Sequence, residues 1–387
     1  HVQLPQTSLE VCTVGCNMNL WSYFAMFLGT LRELVWRSPS NVFRVFSAGD
    51  GDISCFRIPA VVRTRTGALL AFSEARHGDC DDGSAREIAM RRSTDHGASW
   101  SDLSLVAGVQ SPVGNPYPIA MKSGRVALVY VTHEGNVTEN DTLGGADSAS
   151  SLNATNPDLG GGNGVIFTDD DGLTWSAELN ISSDFGPARG SLPGPGAGIQ
   201  LADGRLLVVS HHGAYIRDYI TLSDDEGATW YTVNTSFPGV DEGTMADVGS
   251  GHVLLTMRNM EQQTKGRAVA RSRDGGVTWS NVSFDESLVG GICQGSLAAF
   301  SGSVFSSGPG NNTERANLTI QRSDDDGFTW VAQMVIQKNA SSGYSSLVQG
   351  AVGDAFHGGI LFEATDAGCI DFAIFPLDLQ PVRGVNA

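Results

Sequence analysis

Charge is scarce in this chain. Only 17% of its 387 residues are Asp, Glu, Lys or Arg, against about a quarter in ordinary globular proteins. Basic residues are the scarcer kind, 24 Lys and Arg against 42 Asp and Glu, for a net charge of -18. That balance argues against nucleic acid or an acidic membrane surface as the general partner. An anionic ligand would need a local cluster of Arg working against an unfavourable global field. Long hydrophobic runs are missing too: the stretch Leu20 to Leu31 holds twelve residues, too few to cross a bilayer. The six Cys include no Cys-x-x-Cys pair and the eight His show no ligand spacing, so a zinc site is not expected. Helical periodicity is sparse. In its place stand 48 Gly and an apolar fraction of 41%, enough for a large core built from many short strands and tight turns.

Residues 1–40 are set apart from this pattern, and 41–387 are expected to form the main domain. The apolar run suits the hydrophobic part of a signal peptide, without a strongly basic flank or a clear cleavage site. Arg32, Glu33 and Arg37 follow it and fit an amphipathic helix equally well. Nine Asn-x-Ser/Thr sequons occur, at Asn136, Asn140, Asn153, Asn180, Asn234, Asn281, Asn311, Asn317 and Asn339. They take half of the 18 Asn, where chance would give roughly a fifth to a quarter, and the excess suggests a secreted or lysosomal glycoprotein.

One motif organises the main domain. Ser-x-Asp-x-Gly-x-Thr-Trp reads five times, at Ser93–Trp100, Thr168–Trp175, Ser223–Trp230, Ser272–Trp279 and Ser323–Trp330. The starts lie 75, 55, 49 and 51 residues apart, the period of a propeller blade. Asp and Gly are hairpin-turn residues, the Gly because it tolerates positive φ. Five of the seven Trp occupy the last position, where each can pack into the space between blades. Strand-like runs flank the copies: Val126–Val131, Val165–Phe167, Leu206–Ser210, Val253–Met257 and Leu318–Ile320. The expected fold is all-β, a six-bladed propeller whose sixth blade lacks the box and closes the ring with the C-terminal strands. The boxes have no Glu at position twelve, which excludes an EF-hand, and they read as structural turns.

Such boxes do not define an activity. The element Cys55-Phe56-Arg57-Ile58-Pro59-Ala60 is more specific. It resembles the Phe/Tyr-Arg-Ile-Pro element of the sialidase superfamily. The resemblance extends to about Pro376 through Phe72-Ser73-Glu74-Ala75-Arg76, Arg91-Arg92-Ser93, Gly114-Asn115-Pro116, Pro195 to Leu201 and Leu361-Phe362-Glu363.

The resemblance implies a retaining exo-glycosidase acting on terminal α-linked sialic acids of glycoproteins, glycolipids or oligosaccharides, with no metal or organic cofactor. Its substrate carries a carboxylate on the anomeric carbon, and the family meets that group with three Arg. Arg57, Arg258 and Arg315 match them by context. A carboxylate nucleophile would be repelled by the same group, so the family uses a neutral Tyr, an exception to the two-carboxylate scheme. Tyr344 matches that nucleophile, and Glu242 matches the Glu that takes its proton. The acid/base is expected on the loop after Arg76, at Asp82 with Asp81 in reserve and Asp79 as a further candidate, and this loop should be partly desolvated to hold a proton. Glu363 matches the Glu that steadies Arg57, and Arg76 is expected to line the pocket. A Cys55–Cys80 bridge, one of fifteen possible connectivities, would brace two of these segments. Preference for the deaminated sugar KDN, transfer in place of hydrolysis, and a non-catalytic glycan-binding propeller remain as alternatives. The last should have lost Tyr344, Glu242 or one of the Arg.

Overall fold

The computed structural model describes residues 39, 41–108, 111–133, 161–187, 190–211, 217–261, 265–350 and 357–377. Apart from Pro39, the N-terminal segment 1–40 with Cys12 and Cys16 lies outside them, as do the sequons at Asn136, Asn140 and Asn153.

Six antiparallel sheets follow one another along the chain as six blades, with no α-helix among the described residues. Blades 1, 2, 4 and 5 each use four consecutive strands and span 55–107, 113–180, 240–285 and 296–335. Blade 3 spans 192–238, and its innermost strand is split into Leu192–Pro193 and Ile199–Gln200, both paired with Leu206–His211. Blade 6 takes three C-terminal strands, and its outermost strand comes from the other end of the domain. Asn41–Phe46 pairs antiparallel with Ile370–Pro376. The ring is thus closed by both ends of the domain, a refinement of the expected C-terminal closure.

Strand composition follows position in the blade. The second strands lie between neighbouring blades and are buried on both faces. All eight residues of Leu69–Arg76 and all six of Leu206–His211 are buried, apolar over their first four positions and mostly polar after them. Outer strands such as Ser104–Ala107 and Tyr231–Pro238 are exposed or half-buried at all but one position each. Four of the five expected runs fall inside strands. The fifth is displaced by one residue, since the strand begins at Thr319, after Leu318.

The five boxes form one repeated turn. In the first, the Ser93 hydroxyl accepts from the Gly97 amide at 2.8 Å and donates to Asp95. The Asp95 carboxylate in turn accepts from the Ser99 amide and hydroxyl. The Trp then reaches back along the ring: Trp100, Trp175 and Trp279 meet Phe372, Phe72 and Phe237 of the preceding blade, and Trp230 meets Phe185 of the preceding connection, all edge-on with ring centroids 5.4 to 6.1 Å apart. The box Gly serves the same junction. Gly97 has φ +91, and a Cβ there would stand 2.2 Å from the Phe372 ring. Box residues therefore set the spacing of the blades rather than any chemistry.

Candidate active site

Three innermost strands share one local device at the same end of the ring. Pairing shifts register between Arg57 and Ala60, between Gly114 and Tyr117, and between Asp241 and Thr244. Each bulge contains one left-handed residue: Ile58 at φ 56, Asn115 at φ 51 and Glu242 at φ 46. A bulge re-aims the side chains around it, and a β-branched residue at positive φ is strained. The strain at Ile58 is met by Glu363, whose Oε1 accepts from the Ile58 amide at 3.3 Å.

Glu363 is the hub of the site. Its Oε1 also accepts from Arg57 Nε at 3.0 Å, and its Oε2 accepts from the Tyr344 amide at 3.1 Å. The Arg57 guanidinium lies 5.3 Å from the Tyr344 ring centroid. Burial alone would depress the Arg57 pKa, but the negative charges of Glu363 and Asp82 outweigh it and hold the guanidinium firmly protonated.

On the far side of the ring, Tyr344 Oη donates to Glu242 Oε1. Glu242 Oε2 accepts from Arg258 Nη1 at 2.9 Å. The Tyr344 phenol is pushed well above its ordinary pKa by burial first, then by the charge of Glu242, with Arg258 opposing. Its resting form is therefore neutral, and the group placed to take its proton already touches it. Ile58 and Cys293 pack with the Tyr344 side chain. Burial pushes the Cys293 thiol up to about 11, with Arg315 opposing.

Arg315 is exposed, and its carbonyl accepts from the Ser342 amide at 2.8 Å, two residues before Tyr344. Arg57, Arg258, Tyr344, Glu242 and Glu363 thus form one connected set, and Arg315 joins it through the backbone that carries the Tyr.

The loop after Arg76 separates its three Asp. Asp82 Oδ1 accepts from Arg76 Nη1 at 2.7 Å and from Arg57 Nη1 at 3.1 Å. Asp81 accepts from the Gly83 amide, and Asp79 from the Asp81 amide and the Ser84 hydroxyl. These two shape the turn while Asp82 faces the Arg pair. The Asp82 side chain is 42% exposed, half-buried against the two guanidinium groups and open on its other side. Arg76 does not line the pocket as an open wall: its side chain is 1% exposed and pairs with Glu74 at 2.6 Å. It reaches the site through Asp82. The Cys55–Cys80 disulfide is formed and ties this loop to the strand of Arg57, while Cys293 and Cys369 are free.

Other residues complete the site without having been assigned roles from the sequence. Glu74, wholly buried, pairs with Arg76 and accepts from the Asn115 amide at 2.8 Å. Its position inside Phe72-Ser73-Glu74-Ala75-Arg76 was the available signal. Gln294 accepts from the Ser345 amide and donates to the Ser345 and Pro195 carbonyls, linking three blades beside Tyr344. Nothing in the local sequence marks it.

The six-bladed propeller with boxed turns thus carries at its centre a Tyr–Glu pair flanked by Arg57 and Arg258. The model of the BNR repeat-like domain family matches residues 67–357, and the chain belongs to that family, within the sialidase superfamily. A sialidase of Bacteroides fragilis (strain YCH46) is 28% identical over 347 residues, which are 83% of this chain and 62% of that protein. A Micromonospora viridifaciens sialidase is 30% identical over 332 residues, covering 80% of this chain and 50% of its own length. Among solved structures, the Hadza microbial sialidase Hz136 superposes with a TM-score of 0.72 at 28% identity, over 87% of this chain and 68% of that one. The chain spans between half and two thirds of the length of these two curated relatives.

Proposed function

We propose that this protein is a retaining exo-α-sialidase. The observation that carries the reading is the continuous chain Arg57–Glu363–Tyr344–Glu242–Arg258, in which a buried neutral phenol touches a carboxylate and stands between two guanidinium groups. A substrate carboxylate is taken by Arg57, Arg258 and Arg315, displacing Asp82 from Arg57. Asp82 then donates a proton to the leaving glycosidic oxygen. Tyr344 Oη attacks the anomeric carbon as its proton passes to Glu242, and a glycosyl–tyrosine forms. In the second half, water attacks that carbon, Asp82 takes the water proton, Glu242 returns its proton to Tyr344, and the sugar leaves with retained configuration. The exposure of Asp82 assigns part of its desolvation to the bound glycan itself.

The sequon side chains Asn180, Asn234, Asn281 and Asn339 are exposed, which supports a glycosylated protein of the secretory pathway. No helix among the described residues is long and apolar enough to cross a membrane. The test is parallel assay of α2,3-linked, α2,6-linked and KDN-linked chromogenic glycosides, with and without a sugar acceptor. Release of N-acetylneuraminic acid is the expected outcome. Faster release of KDN assigns the alternative sugar, product on the acceptor assigns transfer, and no release from any substrate refutes the enzymatic reading.

A further inference from the structure

Behind Glu242, on the seam between blades 3 and 4, stand three side chains that the reaction above does not use. His211 ends the strand Leu206–His211, and Asp218 lies directly across from it on Arg217–Ser223. Asp241 precedes Glu242 on the innermost strand of blade 4. One ligating atom from each lies within 4.8 Å of the others. His211 is 3% exposed and both carboxylates 0%. Their numbers show no ligand spacing because two blades supply them.

Burying a carboxylate is costly unless cations or donors meet it. For Asp218 that answer is weak. Neither oxygen has a hydrogen-bond partner, although the Gly243 amide lies against the group. The repulsion it feels from Asp241 and Glu242 exceeds the attraction of Arg267, which is itself fully buried and donates to the Gly290 and Cys293 carbonyls.

We propose that His211, Asp218 and Asp241 form a site for a small divalent first-row cation, Zn²⁺ foremost, which clamps blade 3 to the strand carrying Glu242. One imidazole and two carboxylates are donors that Zn²⁺ accepts. Two ligands each about 2.1 Å from a tetrahedral ion stand about 3.4 Å apart, and His211 Nδ1 and Asp241 Oδ1 are 3.4 Å apart. Ca²⁺ fits poorly, since it takes six or more oxygens at longer range. The role is structural, holding Glu242 from behind through the adjoining Asp241.

Untagged protein is stripped with a chelator, desalted, incubated with Zn²⁺ or separately with Mn²⁺, and passed through gel filtration. Metal content and thermal unfolding are then read. One retained equivalent of Zn²⁺ with a raised Tm is expected, lost in both Asp218→Asn and His211→Gln. No retained metal in the wild type, or undiminished retention in both variants, overturns the site and leaves a shared proton to answer the buried charge. If either variant fails to fold, anomalous scattering from Zn²⁺-soaked wild-type crystals decides. A peak among the three side chains supports the site, and a peak elsewhere or none rejects it.

Discussion

Replacing Glu363 by Gln should cut kcat/KM sharply while leaving the propeller assembled. The carboxylate accepts from Arg57 Nε, the Ile58 amide and the Tyr344 amide. An amide of the same shape must turn an N–H toward at least one of these donors, and it removes the charge opposite Arg57. Breaking a buried ion pair from one side costs about 3–5 kcal/mol. Here the side chains are 23% and 15% exposed, so about 2–3 kcal/mol is the better figure. At about 1.4 kcal/mol per decade, that bounds the loss in kcat/KM at about 30- to 150-fold. Both parameters should move, KM because Arg57 loses its aim at the substrate carboxylate, and kcat because the Tyr344 backbone loses an anchor. Steady-state kinetics on a chromogenic sialoside, with circular dichroism to confirm the fold, measure this directly. A variant within about twofold of wild type in kcat/KM would refute the hub role of Glu363.

Acid should destabilise the protein in two stages. His133 is held down to about 4 by burial and then by Arg86, so the unfolded chain binds this proton first and stability falls as pH drops from about 6.5 towards 4. Burial pushes Glu74 up, but Arg86 and Arg76 outweigh it and hold the carboxyl at about 2. Its stabilisation is present above about 4.5 and lost as pH falls from there through about 2. Each stage is worth up to about 3 kcal/mol, and denaturant midpoints in His133→Gln should lose the first stage alone. Removing the disulfide with Cys80→Ser opens a loop of 25 residues in sequence separation, costing about 3.5 kcal/mol, and should lower kcat more than KM because the Asp82 loop loses its tether. Gly97→Ala meets both a positive φ and the Phe372 ring; it should lower stability by about 2–5 kcal/mol with unchanged KM, since this junction lies outside the catalytic set.

The propeller was legible because five boxed turns each repeat the same Asp, Gly and Trp chemistry. Closure by Asn41–Phe46 was not, since one outer strand carries no pairing signal of its own. Within the site, Arg57, Arg258, Tyr344, Glu242 and Glu363 were readable from motif context, and the structure brings them into one network. The bulges that aim Ile58, Asn115 and Glu242 were hidden, because propensity gives no reason to put a β-branched Ile in the left-handed region. Arg76 read as a pocket residue from its motif, although Glu74, two positions back on the same strand face, was the available sign of the buried pair the structure shows.

The most direct measurement concerns the phenol of Tyr344. A sialoside activated at the anomeric carbon and fluorinated on the neighbouring carbon should form the glycosyl–enzyme faster than water can break it. Proteolysis and mass spectrometry should then find one added sugar on the peptide containing Tyr344, absent from Tyr344→Phe. A label on another residue, or full turnover by Tyr344→Phe, would contradict the account.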